Sequence, residues 1–232
     1  MTSDRGASSI EAVVFDLYDT LAYLDGQVIR DTRRELAEIA QVDTQAFMDQ
    51  WRDTAWERML GVLGDLDQQI ALMLGRLGAH VTPDLVARLV KLENAAWHDA
   101  VHLYPQTLPL LRELRQRGYR LGLLSNCSCQ AGAVVSALGL EALMDELVLS
   151  CEVGLAKPDR AIFEHACRAL DVTLERTMFV ADGAFGELDA ATDLGMVAVK
   201  IEQAHQSGDY GTSERYRHCV TSLDEVLGLL RE

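Results

Sequence analysis

Apolar and polar positions follow two rhythms along this chain. Glu11 to Phe15 is a short, mostly apolar run that reads as a strand. From about Val28 to Val101 no strand pattern stands out and helical signals repeat. Phe47, Trp51, Ala55 and Met59 recur every four residues and form one stripe. Asp65 with Gln68 resembles a capping box, Gly78 stands where a helix C-cap glycine belongs, and Thr82-Pro83 is an N-cap followed by proline at the first helical position. This region predicts four helices packed as a bundle, with Trp51, Trp56 and Trp97 as its filling.

After Tyr104-Pro105 the rhythm changes to alternation. A helix from about Thr107 ends at Gly118, and the strand "YRLGLLSN" follows. Then come a helix over Gln130–Leu138, the short strand "ELVLS", a helix over Asp159–Leu170 opened by Pro158, the strand "TMFVAD", the helix "ELDAATDLG" and the strand "MVAVK". "EQAHQSGDYGTSERYRH" is polar and reads as a loop, and a last helix covers Leu223 to Leu230. Alternating strands and helices imply βαβ units and a parallel sheet. The predicted fold is therefore α/β: a Rossmann-like parallel sheet core over residues 1–21 and 103–232, with an α-helical bundle over 22–102 inserted after the first strand.

Composition narrows the partners. The chain has 232 residues, 49% hydrophobic, which suffices for one large core or a core with a small second domain. A formal net charge of −15 disfavours nucleic acid and anionic membranes, whose affinity is mostly phosphate–cation attraction. An anionic small molecule would need a locally positive pocket. Five cysteines, an odd number, with no apolar leader in "MTSDRGASSI" lead us to expect free thiols and a cytoplasmic setting. Cys127-x-Cys129 lacks a second pair at zinc spacing and reads as small loop residues.

Open α/β sheets bind ligands beyond the carboxyl ends of their strands. The residues at those ends are Asp16 after "AVVF", Ser125-Asn126 after "LGLL" and Asp182 after "MFVA", and all are polar. Lys157, in "GLAKPD", is the only lysine between Lys91 and Lys200, and a lysine beside a carboxylate favours the ionised acid. Asp182 and Glu187 share the glycine-bearing loop "DGAFGE", and two carboxylates on one loop suit a hard divalent cation; acids at a helix N-terminus are also common without one.

The stretches "VVFDLYDTL", "LGLLSN", "GLAKPD" and "VADGAFGELDAATDLGM", in that order, resemble the haloacid dehalogenase-like hydrolase superfamily, with the region between core segments resembling its inserted helical cap. The resemblance implies Asp16 as nucleophile through a covalent aspartyl intermediate, and Lys157 as the group that holds it and offsets negative charge. It implies Ser125 and Asn126 as hydrogen-bond donors to substrate, and Thr20 as part of the turn shaping the site beside Tyr18. It also implies Mg²⁺ held by Asp16, the backbone carbonyl of Tyr18, Asp182 and Glu187.

Two departures divide the reading. Phosphatase members carry a second Asp two residues after the nucleophile, where this chain has Tyr18; Asp19 is one residue out of register. Ala181 stands where Gly is more usual, and Gly186 where an acid often stands. A Mg²⁺-dependent phosphatase of a small metabolite keeps Asp182 and Glu187 meaningful. A metal-free 2-haloacid dehalogenase explains Tyr18, because a departing halide needs no proton. A non-catalytic binding protein would leave the intact motifs without a purpose. Arg52 is a candidate by type for a cap arginine, although a solvated helix charge fits it better. His98 and His102 share an i, i+4 spacing with no third ligand, and Tyr23 reads as packing. Ala22–Gly26 and His102–Pro105 are the expected hinges, and a monomer or homodimer is expected.

Overall fold

In the computed structural model, the structure describes residues 9–206 and 218–230. The first strand, β1 (Ala12–Phe15), leads through a tight turn into β2 (Ala22–Leu24). Five helices follow: α1 (Gly26–Ile39), α2 (Thr44–Asp53), α3 (Ala55–Met59), α4 (Leu66–Arg76) and α5 (Pro83–Ala100). The chain returns along β3 (Val101–Leu103), which pairs antiparallel with β2. The rest alternates: α6 (Thr107–Gln116), β4 (Arg120–Ser125), α7 (Ala131–Ala137), β5 (Glu146–Leu149), α8 (Ser150–Val153), α9 (Arg160–Ala169), β6 (Thr177–Ala181), α10 (Glu187–Asp193), β7 (Val197–Ile201), β8 (His218–Val220) and α11 (Leu223–Leu229).

Six strands form one sheet in the order β5-β4-β1-β6-β7-β8, and each adjacent pair is parallel. The apolar runs are continuous because both sheet faces are covered. Val13, Phe15, Leu121, Leu123, Met178 and Val180 face one core with α6, α7 and α11. Ala12, Val14, Leu124, Phe179 and Ala181 face the other with α9 and α10. Strand β1 lies between β4 and β6, at the point where successive connections depart to opposite sides. Phe15 is level with Leu123 and Val180, so Asp16, Ser125 and Asp182 all emerge within two residues of one another on the same edge.

The inserted helices have their own core of Leu36, Phe47, Trp51, Ile70, Met73, Leu74 and Leu89. The Asp65 capping interaction forms, with its backbone N–H donating to Gln68 Oε1 at 3.0 Å, and Thr82 caps α5 through the Leu85 N–H at 3.3 Å.

Several expectations change. The insertion has five helices, not four, because the 47–59 stripe breaks at Thr54, whose hydroxyl bonds back to the Gln50 carbonyl. Beyond the break Arg58 is buried and Met59 only partly so. Trp51 is buried, but Trp56 is 47% exposed and does not fill the bundle. The presumed hinge segments contain the β2–β3 ribbon, which the sequence pattern did not reveal. His102 lies in β3 beyond the end of α5, so it shares no helix face with His98. The polar stretch read as a loop falls partly outside the described residues, and His218 at its end opens β8. Among the described residues, no helix is long and apolar enough to cross a membrane.

Candidate active site

The turn after β1 is tied by its own backbone. Leu21 and Ala22 both donate N–H bonds to the Leu17 carbonyl at 2.9 Å, and Asp19 adopts a left-handed φ of 56°. Asp16 and Asp19 are both buried at the sheet edge, and Asp19 acts on Asp182 electrostatically. Thr20 is buried, and its hydroxyl has no hydrogen-bond partner among the described residues.

Lys157 reaches the same edge from the loop before α9. Its Nζ lies 2.5 Å from Asp16 Oδ1 and 2.6 Å from Glu187 Oε2. Asn126 holds that loop from both directions. Its Nδ2 donates to the Lys157 carbonyl, and its Oδ1 accepts the Lys157 N–H, each at 2.8 Å. Thus Asn126 grips the Lys157 main chain. The neighbouring Ser125 hydroxyl is fully buried and has no hydrogen-bond partner among the described residues. A buried hydroxyl left unpaired costs about 1–3 kcal/mol, so its presence at a strand end suits an oxygen-bearing ligand.

Asp182 follows β6 and accepts the Ala184 N–H at 3.1 Å. Gly183 and Gly186 have φ values of 97° and 72°, and these left-handed turns bring Glu187 back toward the sheet edge. Asp16, Asp182 and Glu187 are all buried and each brings a carboxylate oxygen within 4.8 Å of the others. Lys157 pairs with two of these acids, Asp16 and Glu187. Burial, then Asp16, pushes Asp182 up to about 6. Burial pushes Glu187 up to about 8 against the pull of Lys157. Burial would lower Lys157, but Asp16 and Glu187 outweigh it and hold its ammonium form firmly. The cluster carries more negative than positive charge in a place without bulk water. Its donors are all hard carboxylate oxygens, so the residues fit a divalent cation such as Mg²⁺.

Tyr18 lies within electrostatic reach of Asp16 and turns toward the insertion. Its ring meets Trp97 of α5 edge-on, with centroids 5.9 Å apart, and burial raises its pKa. Trp97 in turn donates its indole N–H to Glu93 Oε1 at 3.1 Å. Glu93 is fully buried and pairs with Arg33 at 3.1 Å. Arg33 and Arg58 lie over the Trp51 ring, 4.4 and 4.9 Å from its centroid. Burial, then Arg33, lowers Arg58 to about 10. Sequence reasoning missed this polar core of the insertion, because charged residues on amphipathic helices read as solvated faces. Arg52, singled out by type, is exposed and pairs with Asp49 at 2.7 Å. Tyr23 packs against Tyr104, His102 and His205.

The chain matches the haloacid dehalogenase-like hydrolase family over residues 10–195, and it belongs to that family. It is a hydrolase. It is 30% identical over 203 residues to the glyceraldehyde 3-phosphate phosphatase of Methanopyrus kandleri, covering 84% of each chain. It is also 27% identical to (S)-2-haloacid dehalogenase 1 of Pseudomonas sp. (strain CBS-3), covering 95% of this chain and 96% of that one. The crystal structure of a dehalogenase with an intermediate complex superposes with a TM-score of 0.63 at 25% identity, covering 97% of this chain and 99% of the other.

Proposed function

We propose that this hydrolase is a Mg²⁺-dependent phosphatase acting on a small, anionic phosphate monoester. The observation that carries the reading is the buried cluster of Asp16, Asp182 and Glu187, in which one lysine pairs with Asp16 and Glu187 and leaves Asp182 to a cation. A C–halogen hydrolase needs no cation and would leave that excess charge without a purpose. The phosphatase relative at 30% identity supports the same choice.

In this reading a carboxylate oxygen of Asp16 attacks phosphorus, the P–O bond to the leaving group breaks, the departing alkoxide takes a proton from water, and an aspartyl phosphate forms. Water then hydrolyses it and restores Asp16. Lys157 fixes the Asp16 carboxylate and offsets charge on the transferring group. Ser125 donates its unpaired hydroxyl to a phosphate oxygen. Thr20 shapes the turn, and Asn126 keeps Lys157 in position. Asp16, Asp182 and the Tyr18 carbonyl would hold Mg²⁺, with Glu187 divided between the ion and Lys157. The ion would supply positive charge to the phosphoryl oxygens. Residues 22–102 would act as the cap over the site, excluding water when closed.

A second reading, 2-haloacid dehalogenation, has one specific observation behind it: Tyr18 is packed against Trp97 where an acid would otherwise donate a proton. The test separates the two. Phosphate release is measured across a panel of phosphate monoesters with Mg²⁺ or with EDTA, alongside halide release from 2-haloacids. Phosphate release that EDTA stops and that Asp16→Asn abolishes is the expected result. Metal-independent halide release without phosphate release would sink the proposal.

A further inference from the structure

The structure assigns Cys127 and Cys151 as a dithiol that closes reversibly into a disulfide beside the candidate active site, with a hydroperoxide as its oxidant. Their sulfurs lie 4.0 Å apart. A disulfide needs about 2.05 Å, so a side-chain adjustment of about 2 Å closes the bond. Cys127 follows Asn126, the residue that grips Lys157, and is buried. Cys151 is the second residue of α8 and is partly exposed where Cys127 is buried, so an oxidant is expected to reach Cys151 first.

The pair is held in place. The Cys127 N–H donates to Ser150 Oγ at 2.9 Å, and that hydroxyl donates to the Met59 carbonyl of α3 at 2.7 Å. Two residues on, Gly61 packs so closely on Cys151 that an added Cβ would come 2.1 Å from its carbonyl oxygen. The dithiol therefore sits where the helical insertion meets the sheet domain, one residue from the Asn126–Lys157 clamp. The hydrogen bond between the two sulfurs holds the Cys151 thiol below its ordinary value and Cys127 above it. The reactive thiolate is thus the accessible one.

The chemistry balances in two steps. The Cys151 thiolate attacks one peroxide oxygen; an S–O bond forms, the O–O bond breaks, and the other oxygen leaves as alkoxide or hydroxide and is protonated. The Cys127 sulfur then attacks Cys151 of the resulting sulfenic acid; the S–S bond forms, the S–O bond breaks, and water leaves with the Cys127 proton. The two sulfurs together lose two electrons and the peroxide gains them. A thiol reductant reverses the bond by exchange.

No lysine or arginine cleaves the chain between Cys127 and Cys151, so the test uses a protease specific for glutamate, which cuts after Glu141 and Glu146. The intact protein is treated with hydrogen peroxide, its thiols are blocked, and the peptides are mapped by mass spectrometry. The expected result is a linked pair carrying Cys127 and Cys151, a fall in titratable thiols from the five present to three, and full reversal by dithiothreitol. The link should persist in Cys129→Ser and vanish in Cys151→Ser. A Cys151–Cys129 link, or Cys151 oxidised to sulfinic acid with Cys127 still reduced, or no link at all, would overturn the assignment. The readout is covalent and needs no substrate, so it stands apart from the proposed phosphatase activity.

Discussion

Tyr18 divides its duties between main chain and side chain. In the proposed reading its carbonyl would hold Mg²⁺ whatever the side chain is, and its ring belongs to the seam with α5 through Trp97. Burial raises the phenol's pKa, making it a poor proton donor. Tyr18→Phe should therefore keep kcat within about threefold on esters with good leaving groups. Loss of a general acid would instead cost about 10²–10⁴, and a drop of that size would make the phenol the missing acid. Glu93 is the opposite case, a residue whose side chain alone matters. It is the counter-charge to Arg33, with Arg58 close by over the same Trp51 ring. Glu93→Gln should destabilise the protein by about 1–3 kcal/mol in chemical denaturation, because it takes the counter-charge from the half-buried Arg33 guanidinium. Asp16, Ser125, Lys157 and Asp182 were legible in the sequence because each ends an apolar run or sits in a distinctive loop. Glu187 was ambiguous there, since an acid at a helix N-terminus is common. Its pairing with Lys157 supplies what the spacing lacked.

Among the elements, the long helices and sheet strands follow their apolar patterns, and the short pieces do not. Strands β2 and β3 are three residues each, too brief for alternation to register, yet they join the insertion to the sheet domain. The junction is tied further by Asp25 N–H to the Ala100 carbonyl at 2.8 Å and by Thr107 Oγ1 to the Leu21 carbonyl at 2.6 Å. Helix α8, four residues long, was missed, and the five-residue α3 was read as the end of a longer helix; the two form one further contact between insertion and core, tied by Ser150 Oγ to the Met59 carbonyl at 2.7 Å. There Gly61 has a φ of +70° and lies against the Cys151 backbone. Gly61→Ala should cost about 1–3 kcal/mol from overpacking, plus the strain of a left-handed alanine. Thermal unfolding with a lowered Tm checks the first part. A raised KM with secondary structure intact would locate the damage at the seam. An unchanged Tm and KM would contradict this close packing.

For the whole molecule, a net charge of −15 surrounds a site that the proposal gives an anionic substrate. Distant charges then repel the substrate, and salt screens them over a Debye length of about 10 Å at 0.1 M. At fixed free Mg²⁺, kcat/KM should rise with ionic strength, and for a neutral substrate it should not. A fall with salt would mean that a local positive field dominates encounter. The chain's own pattern determined the parallel sheet, its helical insertion and the edge where Asp16, Ser125 and Asp182 emerge. Apolar runs must be buried on both faces, and their polar ends must then share the exposed margin. The tertiary structure alone decided which charges meet. Lys157 finds Asp16 across 141 residues, and Arg33 finds Glu93 across 60. Such partners leave no mark on local periodicity, because burial and charge pairing depend on which surfaces the folded chain brings together.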